Sequence, residues 1–183
     1  MRLESCDVCD PDGKRVQVLD VDGVIALYNT IDKSEHKYIN IDQNGYVITN
    51  QDYAKYSNSN NYKALSELVK SDINYTIEIT DELKYKNEMG NIISIEMGPI
   101  NVIPNWGKDA FGFDTNETGW LGLTQTPGIS VDKYASIDND VHIIINSSLS
   151  EEGKAQTLSH ELYGHALLFQ RKQPHTHNII YKI

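Results

Sequence analysis

Basic residues are scarce in this chain, with 16 Lys and Arg against 26 Asp and Glu, for a formal net charge of −10 and a pI near 4.9. A phosphate-binding surface needs clustered cations, and no basic patch occurs, so no nucleic-acid partner is expected. Long apolar runs are also missing. None approaches the ~18–20 residues that a transmembrane helix needs, and the stretch from Met1 to Asp20 has no apolar signal-peptide core. The expectation is a soluble chain with no membrane insertion and no export signal of its own. Cysteine is limited to Cys6 and Cys9, a single C-x-x-C. A zinc site of that type wants a second pair, and a redox motif would open a helix within a βαβ unit, so both thiols are read as unremarkable.

With 183 residues, of which 39% are hydrophobic, the chain is long enough for one domain with a real core and too short for two large ones. Residues 1–15 read as an N-terminal extension or linker, because Pro11, Asp12 and Gly13 form a turn signal, and residues 16–183 read as a single domain. Val16–Leu19 and Val24–Asn29 look like short strands around a turn at Asp20–Gly23. Tyr38–Ile41 and Tyr46–Thr49 flank Asn44-Gly45, a hairpin signal. Asp52–Tyr56 suggests a helical turn, and Tyr62–Ser71 places Leu65, Leu68 and Val69 at helical spacing. Ile73–Thr80 alternates as a half-buried strand, which Ile92–Met97 is expected to answer across a loop containing Gly90. Pro99–Pro127 is irregular, with Trp106, Phe111, Phe113 and Trp120 spaced through it, and is given no catalytic role. Val141–Asn146 is a β-branched run fit for a buried strand. Ser148 with Glu151 three residues on is a capping-box signal for a helix running to about Lys172, before Pro174. Together these give an α+β fold: a small mixed or antiparallel sheet packed against a long helix near the C-terminus.

That helix carries the informative residues, His160-Glu161-Leu162-Tyr163-Gly164-His165. Two neutral imidazoles can hold a zinc ion, and a carboxylate beside one can accept a proton from water that the ion activates. The familiar spacing is H-E-x-x-H, whereas here the histidines are five apart. At ~100° per residue, five residues land ~140° from the starting face, so a regular α-helix cannot aim both rings at one ion. A single π-type turn would, because it widens the helix so that five residues make a little more than one revolution. Gly164 is where such a distortion is easiest. A third ligand is needed, and downstream only His175 and His177 lie. After a helix rising ~1.5 Å per residue, an extended return favours His177, and His175 is the alternative. The histidine left over could sit behind the ligands or polarise a substrate carbonyl. Tyr163 and Tyr181 are further candidates for oxyanion or substrate contact. His142 on the preceding strand is a distant candidate ligand, read in the first place as an ordinary strand residue, and His36 is placed in a charged loop.

The six-residue stretch resembles the H-E-x-x-G-H motif of the dipeptidyl peptidase III family, whose zinc-binding helix has one extra residue between its ligand histidines. Members of that family take their third ligand from a glutamate on a later helix, and no Asp or Glu follows Glu161 here. The tract VHIIINSSLSEEGKAQTLSHELYGHALLF, from Val141 on, is similar to metallopeptidase segments at the C-termini of rearrangement-hotspot (Rhs) proteins. Asp10–Lys14, DPDGK, resembles the close of an Rhs core. These resemblances imply a zincin-like, Rhs-associated domain with Zn²⁺ as cofactor and a peptide or protein as substrate. They further imply a toxin or effector use, a parent Rhs chain or a cognate immunity protein as partner, and delivery outside the cell as part of a longer protein.

The expected activity is zinc-dependent peptide hydrolysis, with His160, His165 and His177 as ligands and Glu161 as general base. Val141–Asn146 would receive an extended substrate if it lies at the sheet edge. The alternatives are a zincin-like module that binds without catalysis, and a core helix whose motif is incidental.

Overall fold

The computed structural model describes residues 14–98, 121–128 and 135–174. The chain is a mixed α+β protein built on one four-stranded sheet, two two-stranded sheets and a helix of 20 residues near the C-terminal end. Strand β1 (Val16–Val18) is followed at once by helix α1 (Val21–Asn29), so the strand expected over Val24–Asn29 is helical. The reason is Asp20, which reads as a turn residue but acts as an N-cap. Its Oδ1 accepts from the Gly23 N–H at 2.6 Å, and its Oδ2 accepts from the Ile79 N–H at 2.9 Å, which pins the helix start to the sheet.

A short 3₁₀ segment (Lys33–Tyr38) leads into the hairpin of β2 (Ile39–Ile41) and β3 (Val47–Thr49), as the Asn-Gly step predicts. Gly45, at φ 87°, is required there, since a Cβ would stand 2.1 Å from the Val18 carbonyl oxygen. Helices α2 (Gln51–Ala54) and α3 (Asn60–Val69) follow, and α3 buries Leu65, Leu68 and Val69 as their spacing predicts.

Strand β4 (Tyr75–Thr80) runs parallel to β1 on one side and to β8 (Val141–Asn146) on the other. Strand β7 (Gly122–Gln125) closes the sheet antiparallel to β8, giving the order β1-β4-β8-β7. Ile92–Met97 does not answer β4. Its strand, β6 (Ile92–Glu96), pairs with β5 (Glu82–Lys86), which the sequence reading passed over because Glu82, Lys84 and Lys86 leave little apolar pattern. Val141–Asn146 is also an interior strand and not an edge, as its near-continuous burial requires. The edge is β7, inside the stretch read as irregular.

The long helix is continuous from α4 (Glu151–Ser159) through a π-helical segment (His160–Ala166) to α5 (Leu167–Gln170). Its cap is Ser150, whose hydroxyl accepts from the Gly153 N–H at 3.1 Å, and not the expected Ser148–Glu151 box. It ends two residues earlier than expected. Lys172 adopts φ 57°, its N–H reaches the Phe169 carbonyl and that of Gln173 reaches the Leu168 carbonyl, a Schellman closure. Arg171 then ties this end to α3 through a two-pronged pair with Glu67 at 2.9 and 2.8 Å. One face of the helix, Leu158, Leu162 and Ala166, is fully buried against Val141, Ile143 and Ile145 of β8 and the α1 and α3 side chains.

Among the described residues, no helix is long and apolar enough to cross a membrane.

Candidate metal centre

Because Leu158, Leu162 and Ala166 must face the sheet, His160 and His165 are left on the outer side, and the π-helical segment brings them together. The Leu167 N–H reaches back five residues to the Leu162 carbonyl, the wide turn that the histidine spacing calls for. The Nε2 atoms of His160 and His165 lie 3.1 Å apart, and a Glu161 carboxylate oxygen joins them in a group whose members are all within 4.8 Å of one another. Two imidazole nitrogens on a tetrahedral zinc at ~2.0–2.1 Å stand roughly 3.3 Å apart, so the pair fits that ion. His160 is exposed and His165 half-buried, whereas Glu161 is only 7% exposed.

Gly164 plays a different part from the one expected. It is not among the glycines with positive φ, and a Cβ there would meet no described atom within 4 Å. Neither backbone conformation nor packing demands glycine, and the π-turn forms without calling on its special freedom.

Glu161 is held by a residue that the sequence reading did not consider. Thr124 Oγ1 lies 2.7 Å from Glu161 Oε2 and 3.1 Å from the Glu161 main-chain carbonyl. No local signal marks Thr124, since only the packing of β7 on the π-helical segment brings it there. The other carboxylate oxygen, Oε1, takes no hydrogen bond from a described residue.

The main chain of β7 is oriented by its ladder with β8. The Asn146 N–H donates to the Leu121 carbonyl at 2.9 Å, while the N–H groups of Val141 and Ser147 point the other way, to Asn74 and Thr80. Alternation along an antiparallel pair then turns the N–H and C=O groups of Gly122 and Thr124 away from β8, toward the outer edge. Among the described residues, no strand pairs with that edge.

The remaining candidates separate clearly. Tyr163 is not an oxyanion donor in this arrangement: its hydroxyl lies 2.6 Å from Thr30 Oγ1 at the end of α1, and desolvation pushes the phenol well above its ordinary range. His142 lies on the opposite face of the sheet, with Nδ1 2.5 Å from Thr76 Oγ1 and Nε2 2.7 Å from Asp138 Oδ1. His36 is not in a loop but in the 3₁₀ segment, where Nε2 meets the Tyr28 and Ile31 carbonyls at 2.7 and 3.0 Å. His175, His177 and Tyr181 lie outside the described residues, as do Cys6, Cys9 and all of DPDGK except Lys14. A groove of about 680 Å³ between the end of α1 and α4, lined by Thr30, Asn61, Gln156 and Ser159 among others, includes neither histidine of the pair.

Compared with models of known families, with curated proteins and with solved structures, the chain matches none.

Proposed function

We propose that the chain is a zinc-dependent peptidase domain of zincin-like design, with His160 and His165 holding the ion and Glu161 as general base. The observation that supports this most is the π-helical segment, which sets two Nε2 atoms 3.1 Å apart with a carboxylate close by. Such segments are rare and occur mostly at functional sites. The two imidazole nitrogens suit Zn²⁺. A zinc ion bound there would supply Lewis acidity toward water and a substrate carbonyl.

The chain's own residues then do the following. His160 and His165 would hold the ion, and His177, or alternatively His175, would complete the protein ligands. Glu161 takes a proton from the attacking water and passes it to the leaving amine. The outward main-chain groups of Gly122 and Thr124 receive an extended peptide by strand addition, the role first given to Val141–Asn146. Use as a toxin or effector, within an Rhs-type parent and with an immunity partner, follows from the resemblance of DPDGK and the 141–169 tract alone.

Stripped protein titrated with zinc, followed by cleavage of fluorescein-labelled casein, tests the reading. The expected result is one equivalent of zinc and zinc-dependent cleavage that Glu161→Gln abolishes without loss of the metal. Less than half an equivalent would remove the site. Zinc uptake with no cleavage by the wild type would leave the binding module in its place.

A further inference from the structure

We infer that Thr124 is a positioning residue for Glu161: its hydroxyl locks the carboxylate into one rotamer and ties it to the strand edge. The inference rests on the peptidase reading for its catalytic meaning, but its geometric half stands on the contacts alone. Thr124 Oγ1 reaches two oxygens of the same residue, Oε2 at 2.7 Å and the main-chain carbonyl at 3.1 Å. The hydroxyl's single proton goes chiefly to the nearer Oε2, with the main-chain carbonyl as a longer second acceptor, which holds the carboxylate close to its own backbone. A glutamate otherwise keeps several rotatable bonds free, and a general base displaced by even ~1 Å can lose on the order of 100-fold in rate.

The hydroxyl engages Oε2, while Oε1 has no hydrogen bond from a described residue. Thr124 also faces two ways. Its side chain points to the helix, as does the Gly122 Cα, where a Cβ would meet Thr157 Cγ2 at 2.7 Å, while its main-chain N–H and C=O point to the outer edge. One residue therefore contacts the base through its side chain and a docked strand through its backbone. The register of that strand relative to the carboxylate is set within a single residue. Leu123 and Gln125, on either side, turn their side chains to the far face, where Leu123 packs near Leu83 and Gln125 donates to the Lys84 carbonyl at 2.8 Å. Neither can substitute.

The test compares Thr124→Val, Thr124→Ser and the wild type. In zinc-free protein with labelled glutamate, three-bond couplings across χ1 of Glu161 should report one rotamer in the wild type and the serine variant, and averaging in the valine variant. Zinc uptake should be unchanged in all three. With zinc and fluorescein-labelled casein, Thr124→Val should lower kcat by roughly 10–100-fold with KM within about 2-fold, and Thr124→Ser should return to within about 3-fold of wild type. Two results would overturn the inference: wild-type couplings in Thr124→Val or unchanged kcat in Thr124→Val, and should the valine variant not fold, a Thr124→Ser variant with averaged couplings would overturn it in the same way. If zinc-loaded wild type leaves casein uncut, the peptidase reading fails, and the couplings alone decide whether Thr124 positions Glu161.

Discussion

The two faces of the central sheet hold histidines in opposite circumstances. On the far face, His142 has both ring nitrogens engaged by different residue types, Thr76 Oγ1 at 2.5 Å and Asp138 Oδ1 at 2.7 Å. Asp138 also accepts from the Asp140 N–H at 2.8 Å, and its carboxyl is held below its usual range by hydrogen bonds from the Asp140 backbone and His142, against the opposing effect of burial. Such a chain ties a loop to a strand. On the helix face, His160 and His165 turn their Nε2 atoms toward each other, an arrangement in which two like groups converge. Burial and hydrogen bonding to unlike groups thus account for the first histidine, whereas the second pair meets nitrogen to nitrogen in a group that could hold a metal ion. The presence of histidine says little, and the chemical identity of what surrounds each nitrogen says much.

The largest effect that breaks this comparison is on the metal. Replacing His160 or His165 by Ala should reduce zinc affinity by more than the ~10–100-fold that loss of an outer-shell partner costs, while His142→Ala should keep full stoichiometry. Titration of stripped protein with a competing chelator measures both, and equal loss from all three would erase the distinction between the faces. The next largest is on turnover. Glu161→Gln should keep the zinc and lose about 10²–10⁴ in kcat, the typical worth of a general base, as measured on the casein substrate.

Much of the helix face could be read in advance, because it rests on local rules. The β-branched run of β8, the spacing of Leu65, Leu68 and Val69, and the Asn-Gly hairpin each state their own structure. The five-residue histidine separation implied a π-type turn for a geometric reason. Thr124 could not be read, since a threonine in an irregular stretch looks like any other until β7 pairs with β8 and lies over the π-helical segment. The same limit hid β5, a strand of a two-stranded ribbon in which Glu82 and Lys84 are exposed and Lys86 is half-buried. Asp20 was misread for a different reason, because one carboxylate serves a local cap and a long-range contact with Ile79, and only the first has a sequence signal.

A smaller effect sharpens the far face. His142→Ala should cost stability, about 1–3 kcal/mol, because Thr76 and Asp138 each lose a partner in a half-buried place. Thermal unfolding should show this loss with zinc affinity unchanged, whereas a stable variant would mean that the chain of hydrogen bonds contributes little to holding the loop.

The smallest effect concerns the residue before Thr76 on the same strand, which the strand's alternation sends to the helix face. Tyr75 is 1% exposed, and its hydroxyl has no hydrogen-bond partner among the described residues. Burial pushes its phenol up to about 12. The folded state therefore holds the proton more tightly than the unfolded chain, whose tyrosine titrates near ~10. This gives full stability below about pH 10 and a progressive loss as pH rises toward 12, on the order of 2–3 kcal/mol in all. Tyr75→Phe removes a buried hydroxyl with no well-formed hydrogen bond among the described residues and only a weak interaction with Ser71, so it should stabilise the protein by about 1 kcal/mol at pH 7. The gain should widen between pH 10 and 12, because the phenylalanine has no proton to lose. Urea unfolding at pH 7 and pH 11 checks both statements, and a destabilised variant would show that the hydroxyl is hydrogen-bonded after all.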